Sequence, residues 1–167
     1  MSVADRLREL RPDAVPGSLF DRVGGRPTLD LVHKIFYDKA YEHDWMMHFF
    51  LGVEQEAIES AQSDFMTQAM KGGKIFCGRP PGLAHVHVAV SEELFDLRHQ
   101  MLAESLDEAK VRTDHRQEWL AIDYAFKSVI LRELRDCHPR SGTISTRPGD
   151  ILHVPKPPGM DSGKRAA

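Results

Sequence analysis

The sequence predicts an all-α fold, and three observations carry that expectation. Apolar residues recur at three- to four-residue spacing, as in Leu29, Val32, Ile35-Phe36 and Ala40. The segments that carry this spacing open on helix-start residues, and several close on glycine pairs or prolines. No stretch alternates in twos strongly enough for a strand, apart from the weak run Val86-His87-Val88-Ala89-Val90.

The elements follow in chain order. A leader spans residues 1–17, with a short helix from Ser2 to Leu10 closed by Pro12 and Pro16-Gly17. The body, residues 18–137, starts near Ser18 and breaks at Gly24-Gly25 after one or two turns. Pro27 then suits the first turn of a helix that runs to about Tyr41. A third helix starts near Glu54, where Glu54 and Glu56 complement the positive end of its dipole, and stops at Gly72-Gly73. Its apolar row reads Ile58, Ala61, Phe65, Ala69. Lys74 to Ala84, broken by Gly78, Pro80-Pro81 and Gly82, should be mostly loop. Ser91 with Glu92-Glu93 starts the next helix, carrying Leu94, Leu97, Met101 and Leu102. Thr113-Asp114 starts the last one, with Trp119, Ile122, Phe126 and Val129-Ile130 on one face and an end near Cys137. Residues 138–167, rich in Pro, Gly, Ser and Lys, read as a disordered tail in which Asp150 to Val154 could dock locally.

Composition narrows the function classes. At 167 residues the chain holds one core. A formal charge of −3 argues against nucleic acid or an anionic membrane as partner, and the longest apolar runs are too short to span a bilayer. Met1 to Leu10 carries charges throughout and no apolar signal region, so the cytoplasm is the default location. Cys77 and Cys137 lie far apart, form no CxxC motif, and read as free thiols.

The informative pattern is an ordered set of residues. Tyr37, Phe50, Gln62, His85 and Phe95 follow one another at intervals of 13, 12, 23 and 10 positions. The anchoring stretches read Ile35-Phe36-Tyr37, His48-Phe49-Phe50, Gln62-Ser63-Asp64-Phe65, Gly72-Gly73, Ala84-His85 and Leu94-Phe95. Over residues 19–135 this set resembles the truncated haemoglobins, the short two-over-two globins, and is most similar to the first group of that family. The resemblance implies a two-over-two helical sandwich, a haem b cofactor and diatomic ligands such as O2, NO and CO. It also implies NO turnover or peroxidase-like chemistry fed by an external reductase, beside transport, sensing or storage of a gas.

The resemblance assigns roles residue by residue. Taken alone, His85 reads as a loop histidine at the edge of a Gly-Pro segment. The resemblance makes it the iron ligand, and the interval to Phe95 selects it over His87. Tyr37 alone reads as a core tyrosine with its hydroxyl at the rim; in the family it donates a hydrogen bond to the bound ligand. Gln62 falls within the apolar row of its helix, where an amide must find a partner, and the first group pairs it with the tyrosine. Phe50 would stack on the porphyrin, with Phe36, Phe49, Ile58 and Phe65 as walls. Phe76, Leu97, Met101 and Phe126 are further candidates for the lining. Lys71, Lys74 and Arg79 could neutralise the haem propionates, or form a solvated basic loop.

Arg98 departs from the family pattern. Leu94, Met101, Leu102 and Ser105 surround it on its helix face, where relatives carry apolar or aromatic residues. A buried guanidinium needs an acidic partner or a propionate, or it faces the pocket and meets the ligand. Two other functions compete with the globin reading. One is a non-haem metal enzyme built on His85-x-His87 with His43, Asp44 and His48. The other is a helical interaction module without a cofactor. The sequence gives no oligomeric state.

Overall fold

Four principal helices form two crossed pairs with a cavity between them. The structure is a computed structural model that describes residues 13–137 and 151–160. Helix α1 spans Leu19–Arg22, α2 Arg26–Glu42, α3 Gln55–Ala69 and α4 Pro81–Ala84. Helix α5 spans Glu92–Glu108, α6 Thr113–Ala125 and α7 Lys127–Ile130, with 3₁₀ turns at Met46–Phe49 and Leu134–Asp136. The α2–α3 pair lies over the α5–α6 pair, with α2 packing on both α3 and α5. None of these helices is long and apolar enough to cross a membrane.

Local chemistry sets the helix starts. Pro27 occupies the first turn of α2, where its missing N–H costs nothing. The Ser91 hydroxyl accepts the Leu94 N–H at 3.1 Å and caps α5, and Glu92 and Glu93 fill its first turn. At the end of α3 the chain turns beneath Phe20, and a Cβ on Gly72 would collide with that ring. Leu29, Val32, Phe95, Leu106 and Trp119 are fully buried and form the centre of the core.

Three expectations need correction. The buried face of α3 is Ser63, Met66 and Thr67, followed by Met70, rather than the row Ile58, Ala61, Phe65, Ala69. The bonds of Ser63 and Thr67 are internal: Thr67 Oγ1 donates to the Ser63 carbonyl at 2.7 Å, and Ser63 Oγ lies 2.8 Å from His33 Nδ1. The neighbouring row of Ile58, Ala61, Gln62 and Phe65 lines the cavity instead.

The last helix also ends sooner than its periodicity predicts. It breaks at Phe126 and stops at Ile130, where Leu131 turns extended. Val129 is 46% exposed, while Ile130 is buried. The chain leaves the helix because Arg132 pairs with Val90, its N–H donating to the Val90 carbonyl at 3.0 Å.

The third correction concerns residues 155–160 of the tail; residues 138–150 and 161–167 lie outside the described residues. Residues 151–160 lie against the body, as the Asp150–Val154 exception allowed. Leu152 pairs with Val88 in a parallel bridge: its N–H donates to the His87 carbonyl, and Ala89 N–H donates to the Leu152 carbonyl, each at 2.9 Å. Trp45 Nε1–H donates to the Val154 carbonyl at 2.9 Å, and Lys156 pairs with Glu93. The weak alternation of residues 86–90 thus meets two single-residue partners, not a sheet. The expected leader helix lies outside the described residues.

Candidate ligand pocket

A cavity of about 460 Å³ opens between the helix pairs. That size and an apolar lining with a few polar groups suit a small-molecule or cofactor site. Helix α2 supplies Phe36 and Tyr37, and the following turn supplies Phe49 and Phe50. Helix α3 adds Ile58, Gln62 and Phe65; the loop beyond it adds Phe76 and Arg79. His85 and His87 follow α4, Arg98 projects from α5, and Phe126 closes the side next to α7.

His85 is held in one tautomer. Its Nδ1 lies 2.7 Å from the Pro81 carbonyl, which can only accept, so the proton sits on Nδ1 and Nε2 keeps its lone pair. Burial keeps the imidazole below its usual range, working against the Pro81 hydrogen bond, and the Arg98 charge adds to the effect. A backbone acceptor fixing the tautomer is the common arrangement behind a metal-bound histidine.

Tyr37 is buried, with edge contacts to Phe36 at 4.9 Å, Phe50 at 5.7 Å and Tyr41 at 6.4 Å between centroids. Burial raises its phenol well above the usual range, so it remains a donor at any working pH. Phe50 stacks on Tyr41 at 5.1 Å, and Phe65 packs edge-on against Phe76 and Phe126.

Arg98 forms the structural pair. Its Nη1 reaches Asp123 Oδ1 at 2.7 Å and Oδ2 at 2.8 Å, and His99 Nδ1 reaches Oδ2 at 2.8 Å. Burial alone would raise the Asp123 carboxyl; the Arg98 charge, with hydrogen bonds from His99 and Arg98, more than offsets it and holds it low.

Two expected lining residues, Leu97 and Met101, and two expected propionate partners, Lys71 and Lys74, are absent from the lining. Met101, one turn past Arg98, is buried in the helix packing, and Leu97 packs against the core from beside it. Lys71 is exposed where the chain leaves α3 with φ 61°, and Lys74 pairs with Asp13 at 3.1 Å, so Arg79 is the loop cation at the cavity. Sequence reasoning missed Asp123 and Leu152, both of which line it. Asp123 carried a signal: it sits four residues after Trp119, a carboxylate in step with an apolar face, and so a partner for Arg98. Leu152 carried only the expectation that its stretch could dock locally.

The family model for bacterial-like globins matches residues 18–130. The chain belongs to this family. Among its relatives this globin is 28% identical over 120 residues to the group 1 truncated hemoglobin of Mycolicibacterium paratuberculosis, covering 72% of this chain and 85% of that one. The group 1 truncated hemoglobin of Synechocystis is 28% identical over 109 residues, covering 63% and 88%. The crystal structure of the 2/2 hemoglobin from Synechococcus, in the cyanomet state with covalently attached heme, superposes with a TM-score of 0.64. It is 29% identical and covers 69% of this chain and 98% of that one. The group II protein of Bacillus anthracis, at 15% identity and TM-score 0.65, shares the fold. The two crossed helix pairs are therefore the two-over-two truncated haemoglobin fold. Globins of this family bind haem and through it small diatomic ligands such as O2. The apolar cavity and the lone-pair nitrogen of His85 fit that cofactor.

Proposed function

We propose that this globin holds haem b through His85 Nε2 and binds O2, NO and CO in the space bordered by Tyr37 and Gln62. The observation that carries this reading is the His85–Pro81 bond, which presents an oriented, neutral imidazole to an apolar cavity. Haem, when bound, supplies an iron with one coordination position for the gas. The remaining work belongs to the protein. Phe36, Phe49, Phe50, Ile58, Phe65 and Phe76 exclude water and pack the macrocycle. Tyr37 and Gln62 offer hydrogen-bond donors to a ligand that carries partial negative charge. Neither cysteine lines the cavity, which favours haem held without a thioether bond.

NO turnover would need an electron source, and we assign that part to a separate reductase. Both cysteines are free thiols, in keeping with work in the cytoplasm. The non-haem metal reading finds less support. His43 Nδ1 accepts the N–H groups of Trp45 and Met46 at 3.1 and 3.3 Å, and among the described residues no three His, Cys, Asp or Glu side chains gather into a metal site.

One absorption spectrum tests the proposal. Purified protein, or protein mixed with hemin, should show a Soret band that shifts with CO, and His85→Ala should lose it. A colourless protein that takes up no hemin would sink the haem reading. Normal spectra in His85→Ala would move the ligand to another residue.

A further inference from the structure

We infer that Arg98 makes this pocket selective for small inorganic anions, so that its ferric state favours ligands of the class of azide and nitrite. The inference rests on the haem reading above and concerns what sits beside the ligand.

Geometry separates Arg98 from an ordinary buried ion pair. A guanidinium and a carboxylate usually meet fork to fork, two nitrogens to two oxygens. Here a single nitrogen, Nη1, reaches both Asp123 oxygens, and Nε and Nη2 make no hydrogen bond to the described residues. The two partners also differ in what they show the cavity. The Arg98 side chain is 24% exposed and that of Asp123 only 5%, although both line it. The pair is thus a dipole with its positive end toward the pocket and its negative end behind.

The cation is also fixed in place. Its Cζ lies 5.6 Å from the Phe36 ring centroid and 5.8 Å from that of Phe95. Asp123 is held in turn by His99 Nδ1. The field has the same sense at Tyr37, where the Arg98 charge outweighs that of Asp123 and works against the rise caused by burial. The N–H donors of Arg98 that Asp123 leaves unused are open to a further acceptor, and a small anion in the cavity supplies one.

The test uses the holoprotein. Azide and nitrite affinities of the ferric form and CO affinity of the ferrous form are measured by absorption in wild type, Arg98→Met, Arg98→Lys and the double variant Arg98→Met with Asp123→Asn. The double variant leaves no unpaired buried charge, and so keeps the test valid should Arg98→Met alone fail to fold. The ratio of azide to CO affinity should fall about ten-fold or more on loss of the charge, the effect of one charged hydrogen bond, and Arg98→Lys should recover part of it. An unchanged ratio in haem-loaded Arg98→Met or in the double variant overturns the inference and leaves the haem reading standing. An unchanged ratio with faster hemin loss assigns Arg98 to a propionate, and also overturns it. A wild-type protein that binds no hemin removes both readings.

Discussion

His33 Nδ1 lies 2.8 Å from Ser63 Oγ and joins α2 to α3 where neither side chain meets water. The imidazole also stands edge-on to Trp119, with centroids 5.8 Å apart, and its Nε2 finds no hydrogen-bond partner among the described residues. Burial, reinforced by the Arg98 charge, pushes its pKa down to about 3.

A pH dependence follows from that depression. The folded state keeps His33 neutral, whereas the unfolded chain takes up a proton below its ordinary value near 6.5. The contribution is therefore fully present above pH of about 6.5 and is lost progressively as pH falls toward about 3. Urea unfolding of the apoprotein across that range should show the loss. His33→Asn should flatten the slope, and an equally steep slope in that variant would contradict the assignment.

Removing Asp123 should be severe. Asp123→Ala leaves the half-buried Arg98 guanidinium without its counter-charge, a change that costs about 3 kcal/mol. The midpoint of urea unfolding should fall with little change in slope. A loss below about 1 kcal/mol would mean that solvent reaches Arg98 through the cavity.

Tyr37→Phe should weaken retention of O2. Losing one hydrogen bond to a partly charged ligand corresponds to an O2 dissociation rate faster by roughly 10- to 150-fold. Stopped-flow dissociation measures it directly, and an unchanged rate would remove Tyr37 from the ligand's surroundings.

Leu152 tests the part that residues 151–160 play in holding haem. It lines the cavity and shares two backbone hydrogen bonds with the segment just after His85. Leu152→Asp places a charge in that wall and should speed hemin transfer to an excess acceptor protein several-fold. Trp45→Phe, which removes the donor to the Val154 carbonyl, should act in the same direction more weakly.

The legible features were the local ones. Pro27, Ser91 and the Gly24-Gly25 and Gly72-Gly73 pairs act within a turn of where they stand, so the starts of α2 and α5 and the breaks around them could be read directly. Tyr37, Gln62 and His85 were readable as an ordered set, and the fold brings all three to one cavity. What escaped depends on distance in the chain. The inward face of α3 carries Ser63, which bonds His33 of α2, and Thr67 beside Met66, and periodicity alone selects the more apolar row next to it. Arg98 announced the need for a partner, but only the α5–α6 packing identifies Asp123. The end of α7 is set by pairing with Val90, some forty positions earlier.

The pairing of Leu152 with Val88 also has a temporal consequence. Residue 152 follows Ile130, the last pocket residue of the matched globin region, by 22 positions. At ribosomal rates of about 5–20 residues per second, that stretch takes roughly one to four seconds to make. During synthesis the globin helices emerge with one wall of the cavity still missing. A haem that enters before residue 152 emerges would meet a cavity without that wall, which closes when Leu152 pairs with Val88.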